Sequence, residues 1–176
     1  MREKEKEIEK LAYYDHLTGL ANRTLFYNMA DKFLEEAKRN GSKLGLMFID
    51  IDHFKRINDM YGHKVGDQVL VEVANLLGKS TRKYDIISRH GGDEFLILLP
   101  NIKHYSNYRI VASRISNANR KIIVSENVEV HISLSIGVSF YPKDGNTINE
   151  LISKADKAMY CAKNRGGNGC IQYLAR

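Results

Sequence analysis

The middle of this chain carries the stretch Arg89-His90-Gly91-Gly92-Asp93-Glu94-Phe95, which runs directly into Leu96-Ile97-Leu98-Leu99-Pro100. Two adjacent glycines allow a tight turn with positive φ, and their missing side chains leave room for a large ligand beside the backbone. The apolar run after the two acids is typical of a buried strand, and Ile86-Ile87 marks a short partner strand before the turn. The stretch predicts a hairpin with carboxylates at the edge of a sheet. The alternative is an ordinary hairpin whose acids are solvated.

A second apolar run also ends in acids. Residues 44–51 are nearly continuous in apolar side chains and finish in Asp50-Ile51-Asp52, which is typical of a central strand. If this strand neighbours the one after the double glycine, Asp50 and Asp93 converge at one edge of the sheet. Carboxylates without nearby His or Cys favour Mg²⁺ or Mn²⁺, which keeps positions open for phosphate oxygens, as phosphoryl and nucleotidyl transfer require. The alternative for each acid is a loop-end carboxylate that caps the backbone.

Helical and strand patterns alternate along the rest of the chain. Apolar residues recur at helical spacing in residues 26–37, 65–76, 108–122 and 148–162. Strict alternation over residues 128–140 predicts one long half-buried strand, and residues 171–174 predict a final short one. Several helices packed on a partly antiparallel sheet predict an α/β (α+β) sandwich of ferredoxin-like type.

Composition narrows the class of protein. A length of 176 residues suits one well-packed domain, and an apolar fraction of 43% indicates a globular chain. No apolar run approaches the ~20 residues of a membrane span, and the N-terminus has no signal-peptide core. Cys161 and Cys170 lack the spacing of a disulfide framework or a metal site, which favours a reducing, cytoplasmic location. The net charge of +6 fits an anionic ligand but is too diffuse to identify one.

Residues 1–14 mix Lys and Glu around a few apolar side chains. This pattern predicts an exposed linker or signalling helix, which we expect to connect to an upstream sensory domain in a longer protein. The remaining residues, 15–176, are expected to form the single domain.

The segment between the two acidic strands carries polar residues that suit a nucleotide. Backbone amides just after Asp52, at the start of a helix, are able to face phosphates, and Lys55 is able to neutralise one. Asn58 and Asp67 offer an amide and a carboxylate, which complement the N1–H and N2 donors of guanine. Adenine lacks those donors, so an Asp here would discriminate between the purines. Helix capping and turn formation are the alternative roles for these two residues.

Three segments in this order resemble the GGDEF family of diguanylate cyclases. They are DHLTGLANR at 15–23, DIDHFKRIND at 50–59 and GGDEF at 91–95, and the similarity continues through SIGV at 135–138 and ADKAMY at 155–160. The resemblance implies an enzyme that joins two GTP molecules into cyclic di-GMP and releases two pyrophosphates. It also implies a cyclase/polymerase-palm-like fold, in which helices surround a central mixed antiparallel sheet.

The resemblance further implies roles for single residues. Asp50, the carbonyl of Ile51, Asp93 and Glu94 would hold two Mg²⁺ or Mn²⁺ ions per active site. Asp93, Glu94 and Lys55 would act in catalysis, with Glu94 supporting the second metal or helping to deprotonate the 3′-hydroxyl. The residues implied in GTP binding are His53, Phe54, Asn58, Asp67, Gly91, Gly92, Lys163 and Arg165.

A product-inhibition site is implied just upstream of the hairpin. Arg82 would bind a guanine edge or a phosphate of cyclic di-GMP, Asp85 would bind the other base edge, and Arg114 would contribute from the following helix. Without the resemblance, Arg82 and Asp85 would be interpreted as a surface pair that contributes little to stability.

One position departs from the family's usual pattern. The family commonly shows Gly-Arg-Asn where this chain has Gly166-Gly167-Asn168. The basic residue at position 167 is missing, which weakens one γ-phosphate contact, and Arg165 is the candidate substitute from two positions earlier.

Two other functions remain open from the sequence. A catalytically idle GGDEF domain would act as a cyclic di-GMP receptor through Arg82 and Asp85, although intact Asp50, Asp93 and Glu94 argue against it. An RNA-recognition module has a similar order of elements but needs aromatic side chains on its central strands, and these are aliphatic here. We therefore expect no nucleic-acid partner.

We expect a homodimer for catalysis, since one site holds one GTP. We also expect the chain to be the cytosolic output domain of a larger bacterial sensor.

Overall fold

The structure is a computed structural model that describes residues 10–117, 121–125 and 128–174. Its strands are β1 (Lys43–Ile51), β2 (Ile86–Gly91), β3 (Glu94–Ile102), β4 (Lys121–Ser125), β5 (Val128–His131), β6 (Leu134–Tyr141) and β7 (Cys170–Gln172). Its helices are α1 (Arg23–Asn40), α2 (Phe54–Tyr61), α3 (His63–Ser80), α4 (Tyr108–Asn117) and α5 (Ile148–Asn164). Residues 10–13 are also helical.

The main sheet has the strand order β2-β3-β1-β6-β7, and β4 pairs with β5 in a separate ribbon. Neighbours in the main sheet are antiparallel except β6 and β7, which are parallel. Helices surround this mixed sheet, which confirms the predicted palm-like α/β architecture. Strand β1 is central, so the acids at its end lie between β3 on one side and β6 on the other.

Alternate residues of β1 serve two hydrophobic cores, because successive side chains of a strand point to opposite faces. Met47, Ile49 and Ile51 belong to the core with buried residues of α3 and α4. Leu46 and Phe48 belong to the core with buried residues of α1 and α5. Both faces of β1 are covered, which explains why its sequence is nearly continuous in apolar residues.

Helix α5 packs directly on β6. A Cβ atom at Gly137 would lie 1.9 Å from the carbonyl oxygen of Ala155 and 2.2 Å from the backbone nitrogen of Met159. Glycine on the strand and Ala155 and Ala158 on the helix allow this approach. The close packing fixes where the C-terminal end of α5 lies relative to β1.

Two of the predicted elements are wrong. The helix predicted over residues 108–122 ends at Asn117, and Ile122 lies in β4. The single strand predicted over residues 128–140 is two strands, β5 and β6, which belong to different sheets. Residues 132 and 133 separate the two strands. The carbonyl of Ser133 accepts a hydrogen bond from the backbone N–H of Asp52 at 2.9 Å.

The predicted hairpin, the central strand ending at Ile51 and the last long helix are confirmed. Most of the predicted N-terminal helix, residues 1–9, lies outside the described residues. Among the helices of the described ranges, none is both long and apolar enough to cross a membrane.

Candidate functional site

The β2–β3 hairpin presents its turn to open space. Gly91 ends β2 and pairs with Glu94, so Gly92 and Asp93 form a two-residue turn. Gly92 has φ +52, a left-handed conformation that favours glycine, whereas Gly91 needs no positive φ. A Cβ at either glycine would meet no described atom within 4 Å. The backbone here is therefore accessible to a ligand.

The structure brings the predicted acids together at one edge of the sheet. Asp50 of β1 pairs directly with Glu94 of β3 across the strands. The backbone N–H of Ile51 donates to the carbonyl of Asp93 at 3.4 Å. The side chain of Asp50 is buried, and those of Asp93 and Glu94 are half-buried. Three carboxylates thus converge from a strand end and a hairpin turn that lie far apart in sequence.

Lys163, near the end of α5, supplies the cation of this cluster. Its Nζ lies 2.7 Å from Oδ1 of Asp50. Burial raises the pKa of Asp50 to about 6, and the charges of Asp93 and Asp52 add to this, while Lys163 opposes it. Burial, followed by the charges of Asp50 and Asp93, also raises the pKa of Glu94. One ammonium therefore compensates only part of the crowded negative charge.

The donor set fits a divalent metal ion of the magnesium type. Carboxylates and the carbonyl of Ile51 are hard oxygen donors, and the excess negative charge beside Lys163 favours a further cation. Within the described ranges, no three His, Cys, Asp or Glu side chains form a ready-made metal cage. This arrangement suits Mg²⁺, which proteins usually hold through one or two carboxylates together with substrate phosphates and water.

The first turn of α2 lies directly after the acidic end of β1. His53 precedes the helix with φ 57, and Phe54 is its first residue. In this fully described helix, no side chain caps the first turn and no acid lies in it. Helix amides in this position attract anions. Lys55 is exposed on the same turn.

Helices α2 and α3 bring Asn58 close to Asp67. A Cβ at Gly66 would lie 1.9 Å from Oδ1 of Asn58, so the asparagine side chain lies against the α3 backbone. Asp67 is the next residue of α3 and is exposed. Asn58, one of the two residues predicted to recognise guanine, therefore lies against the α3 backbone next to the position of the other, Asp67.

The three residues predicted for product inhibition line one cavity. Arg82, Asp85 and Arg114 enclose about 110 Å³, with apolar walls that include Leu99 and Ile110. Oδ2 of Asp85 accepts the backbone N–H of Arg82 at 2.7 Å, and burial raises the pKa of this carboxyl. The cavity lies at the other end of β2 from the glycine turn, because Asp85 immediately precedes this strand.

Arg82 and Arg114 each have a contact within the protein. The guanidinium of Arg82 donates to the hydroxyl of Tyr84 at 2.8 Å. The guanidinium of Arg114 donates to the carbonyl of Ser80 at 3.4 Å. Both arginines remain exposed at the cavity.

The sequence did not predict an ion pair between Arg89 and Asp15 that supports the hairpin, which we call the Asp15–Arg89 brace. Nε of Arg89 donates to the carbonyl of Gly92 at 3.0 Å, and its Nη1 lies 3.2 Å from a carboxylate oxygen of Asp15. The same carboxylate accepts the N–H and the hydroxyl of Thr18. The sequence shows Asp15 followed three residues later by Thr18, which is a capping pattern. This pattern does not reveal that Asp15 also contacts Arg89, 74 residues away.

Position 167 lies in the loop after α5. Arg165 is the C-cap of the helix and is exposed, and Gly167 has φ +71. A Cβ at Gly167 would lie 2.7 Å from Oδ2 of Asp52. The loop therefore approaches the end of β1 more closely than a larger residue would allow.

A family model described as "Diguanylate cyclase, GGDEF domain" matches residues 12–169. The chain is 38% identical over 93% of its length to a bifunctional diguanylate cyclase/cyclic di-GMP phosphodiesterase, MucR, of Pseudomonas aeruginosa. It is 36% identical over 94% of its length to the diguanylate cyclase TpbB of the same species. It is also 36% identical to a cyclic di-GMP phosphodiesterase, NbdA, of that species. The chain spans 24%, 38% and 21% of these three relatives, respectively.

Solved structures are similar over nearly the whole chain. The GGDEF domain of TpbB from P. aeruginosa has a TM-score of 0.89 at 35% identity, and the match covers 92% of this chain and 95% of that one. The coiled coil and GGDEF domain of DgcB from Caulobacter crescentus, in complex with c-di-GMP, has a TM-score of 0.84 at 29% identity. That match covers 97% of this chain and 91% of that one.

Proposed function

Because this chain belongs to the GGDEF family of diguanylate cyclase domains, we propose that it condenses two GTP molecules into cyclic di-GMP and releases two pyrophosphates. The observation that carries the proposal is the pairing of Asp50 with Glu94 across β1 and β3, beside Asp93 and the ammonium of Lys163. Such a cluster suits a metal-bound triphosphate, whose phosphates bring the negative charge and whose metal ions bring the positive charge.

Asp50, Asp93, Glu94 and the carbonyl of Ile51 would hold two Mg²⁺ or Mn²⁺ ions, which supply Lewis-acid stabilisation of the developing phosphate charge. Lys163, the amides of His53 and Phe54, and Lys55 and Arg165 orient the phosphates. Glu94 would support the second metal ion or help to deprotonate the 3′-hydroxyl.

Asn58, which lies against the α3 backbone at Gly66, and Asp67, the next residue of α3, support guanine over adenine. An ionised Asp accepts hydrogen bonds but donates none, so it complements the N1–H and N2 donors of guanine. Adenine would leave this carboxylate unpaired, which is a strong basis for discrimination. GTP is therefore the proposed substrate, and ATP is expected to be a poor one.

Catalysis is proposed to need two protomers. One site holds one GTP, so each 3′-hydroxyl has to reach the α-phosphate of a nucleotide bound to a second copy. Two identical reactions between two identical sites require a two-fold encounter. A segment before residue 15 and an upstream sensory domain would control how often this encounter occurs.

Product feedback is proposed at the cavity of Arg82, Asp85 and Arg114. The guanidinium groups suit phosphates or the acceptor edge of guanine, and Asp85 suits its donor edge. One of the similar solved structures, that of DgcB, is described as a complex with c-di-GMP. A receptor without catalysis is the second candidate function, since this cavity is separate from the acidic site.

Replacement of a proposed metal ligand tests the cyclase. Asp93→Ala should lower the rate of cyclic di-GMP formation from GTP and Mg²⁺ by roughly three decades, which corresponds to about 4 kcal/mol of transition-state stabilisation. Asp31→Ala changes an exposed acid on α1 and is the matched control. Equal turnover by the Asp93 and Asp31 variants would exclude Asp93 from the active site. Product binding without any turnover by the wild type would favour the receptor.

A further inference from the structure

The carboxylate of Asp52 lies at a junction of three chain segments. This residue follows β1 directly and is 7% exposed. Its Oδ1 accepts a hydrogen bond from the hydroxyl of Ser135 at 2.6 Å, and its Oδ2 accepts one from the hydroxyl of Ser133 at 2.7 Å. Oδ2 also accepts the backbone N–H of Asn168 at 2.8 Å. Both oxygens are engaged within the protein, so Asp52 is a poor candidate for a further metal ligand.

These four residues, which we call the Asp52 clasp, join the two sides of the active site. Ser133 directly precedes β6, Ser135 is the second residue of β6, and Asn168 lies in the loop after α5. Lys163, five residues before Asn168, contacts Asp50, two residues before Asp52. The clasp therefore connects the strand that carries Asp50 to the segment that carries Lys163.

In this structure, the missing side chain of Gly167 leaves room for the loop to approach Asp52. An L residue at φ +71 is strained, and its Cβ would also lie 2.7 Å from the Asp52 carboxylate. Gly166 has φ +106, but a Cβ there would meet no described atom within 4 Å. Both glycines have a positive φ that would strain an L residue, and they differ in whether an added Cβ would contact Asp52. They form a matched pair for an experiment.

We propose that Asp52 is a positioning residue that holds the segment of residues 163–168 at the distance from Asp50 that the nucleotide phosphates require, and that Gly167 belongs to the same device. The inference rests on the proposed cyclase function. Hydrogen bonds from hydroxyl and amide donors to a buried carboxylate are charge-assisted and stronger than neutral ones. A displacement of about 1 Å in groups that position a substrate is enough to lower a rate on the order of 100-fold.

The glycine pair gives the first test. Gly167→Ala should raise the KM for GTP at least about fivefold, which corresponds to ~1 kcal/mol, and Gly166→Ala should raise it much less. Gly167→Arg installs the basic residue that the family commonly has here. It should behave like Gly167→Ala rather than lower the KM, because its Cβ meets the same carboxylate.

A double-mutant cycle gives the second test. The Asp52→Ala variant lacks the carboxylate that a Cβ at position 167 would contact. In this background, Gly167→Ala should therefore change the KM for GTP by less than about twofold. Independent structural damage would instead give additive effects. Asp52→Asn keeps the shape of the side chain and replaces Asp52→Ala in the cycle if the alanine variant does not fold. With this variant, the effect of Gly167→Ala should still be smaller than in the wild type.

Hydrogen exchange of the Asn168 amide gives a readout that needs no GTP. Exchange should be slow in the wild type and in Gly166→Ala, and at least about tenfold faster in Gly167→Ala and in the Asp52 variant. This result without any product from GTP would support the clasp and overturn the cyclase proposal. Additive KM effects, or unchanged exchange in Gly167→Ala, would overturn the positioning proposal while GTP turnover in the wild type remained.

Discussion

At the scale of the residue, the buried carboxyl of Asp50, a proposed metal ligand, lowers the stability of the fold at neutral pH. Its carboxyl is 5% exposed, and Asp93 and Asp52 lie near enough to add to its raised pKa. The folded protein holds the Asp50 proton up to about pH 6, whereas the unfolded chain releases it near the ordinary value of 3.8. The folded state binds more protons between these values, so this group lowers the free energy of unfolding as pH rises through that range.

Asp50→Asn should therefore stabilise the protein in metal-free buffer. We expect its melting temperature at pH 7.5 to exceed that of the wild type by about 2–4 °C, which corresponds to roughly 1 kcal/mol in a domain of this size. The gain should vanish below pH 4, where the wild-type carboxyl is also neutral. Thermal melts in EDTA across this pH range measure it, with the exposed Asp59→Asn as control. An equal rise in melting temperature at pH 4 would show that the charge of the Asp50 carboxylate does not cause the stabilisation.

Arg82 carries the proposed feedback. Arg82→Ala removes a planar set of donors that lysine would not replace. We expect this variant to bind cyclic di-GMP at least about tenfold more weakly, or ~1.4 kcal/mol, and to lose inhibition by added product. In the wild type, inhibition should be non-competitive with GTP, because the two sites are separate. Lys83→Ala, an exposed neighbour, should keep the inhibition. Equal inhibition of the Arg82 variant would leave Arg82 and Asp85 as a surface pair.

At the scale of the element, the β2–β3 hairpin is stabilised by a contact with the segment that precedes α1. Arg89 bonds both the turn carbonyl of Gly92 and the carboxylate of Asp15, so the segment before α1 holds the turn that carries Asp93. Arg89 and Asp15 are only 15% and 16% exposed in their side chains. This pair therefore differs from the exposed Lys38–Glu35 pair within α1.

Arg89→Lys should lower the free energy of unfolding by about 1–2 kcal/mol, because a lysine ammonium does not reproduce both contacts of the guanidinium at once. The melting temperature should fall by about 3–6 °C. Glu35→Gln, which breaks the exposed pair, should change the stability by less than about 0.5 kcal/mol. Thermal melts compare the two. A similar small change in both variants would mean that the brace does not support the hairpin.

The elements also show what a local pattern is able to predict. The hairpin and β1 were predictable, because double glycine and continuous apolar runs report local conformation and burial. The break between β5 and β6 was not, because alternation continues past Ser133 while the chain changes sheets there. The acids of the site were predictable from their strand ends. The Asp15–Arg89 brace and the Asp52–Asn168 contact were not, since the partners lie 74 and 116 residues apart.

At the scale of the whole molecule, one chain provides only half of the proposed reaction. Each proposed site has one set of acids and one pair of residues, Asn58 and Asp67, that we propose to recognise guanine. We therefore expect product formed per chain to rise with protein concentration at low concentrations and to level off as dimers form. Initial rates measured across a dilution series, beside sedimentation of the same samples, test this. Constant activity per chain in a demonstrably monomeric sample would contradict the two-protomer mechanism.

The proposed reaction of this protein is the conversion of GTP into cyclic di-GMP. The most direct measurement incubates the purified protein at high concentration with GTP and Mg²⁺, identifies the product by mass spectrometry and quantifies pyrophosphate. We expect cyclic di-GMP with two pyrophosphates per product, and very little cyclic dinucleotide from ATP. Absence of cyclic di-GMP from a folded, dimeric sample, or equal conversion of ATP, would show that the protein is not a GTP-specific diguanylate cyclase.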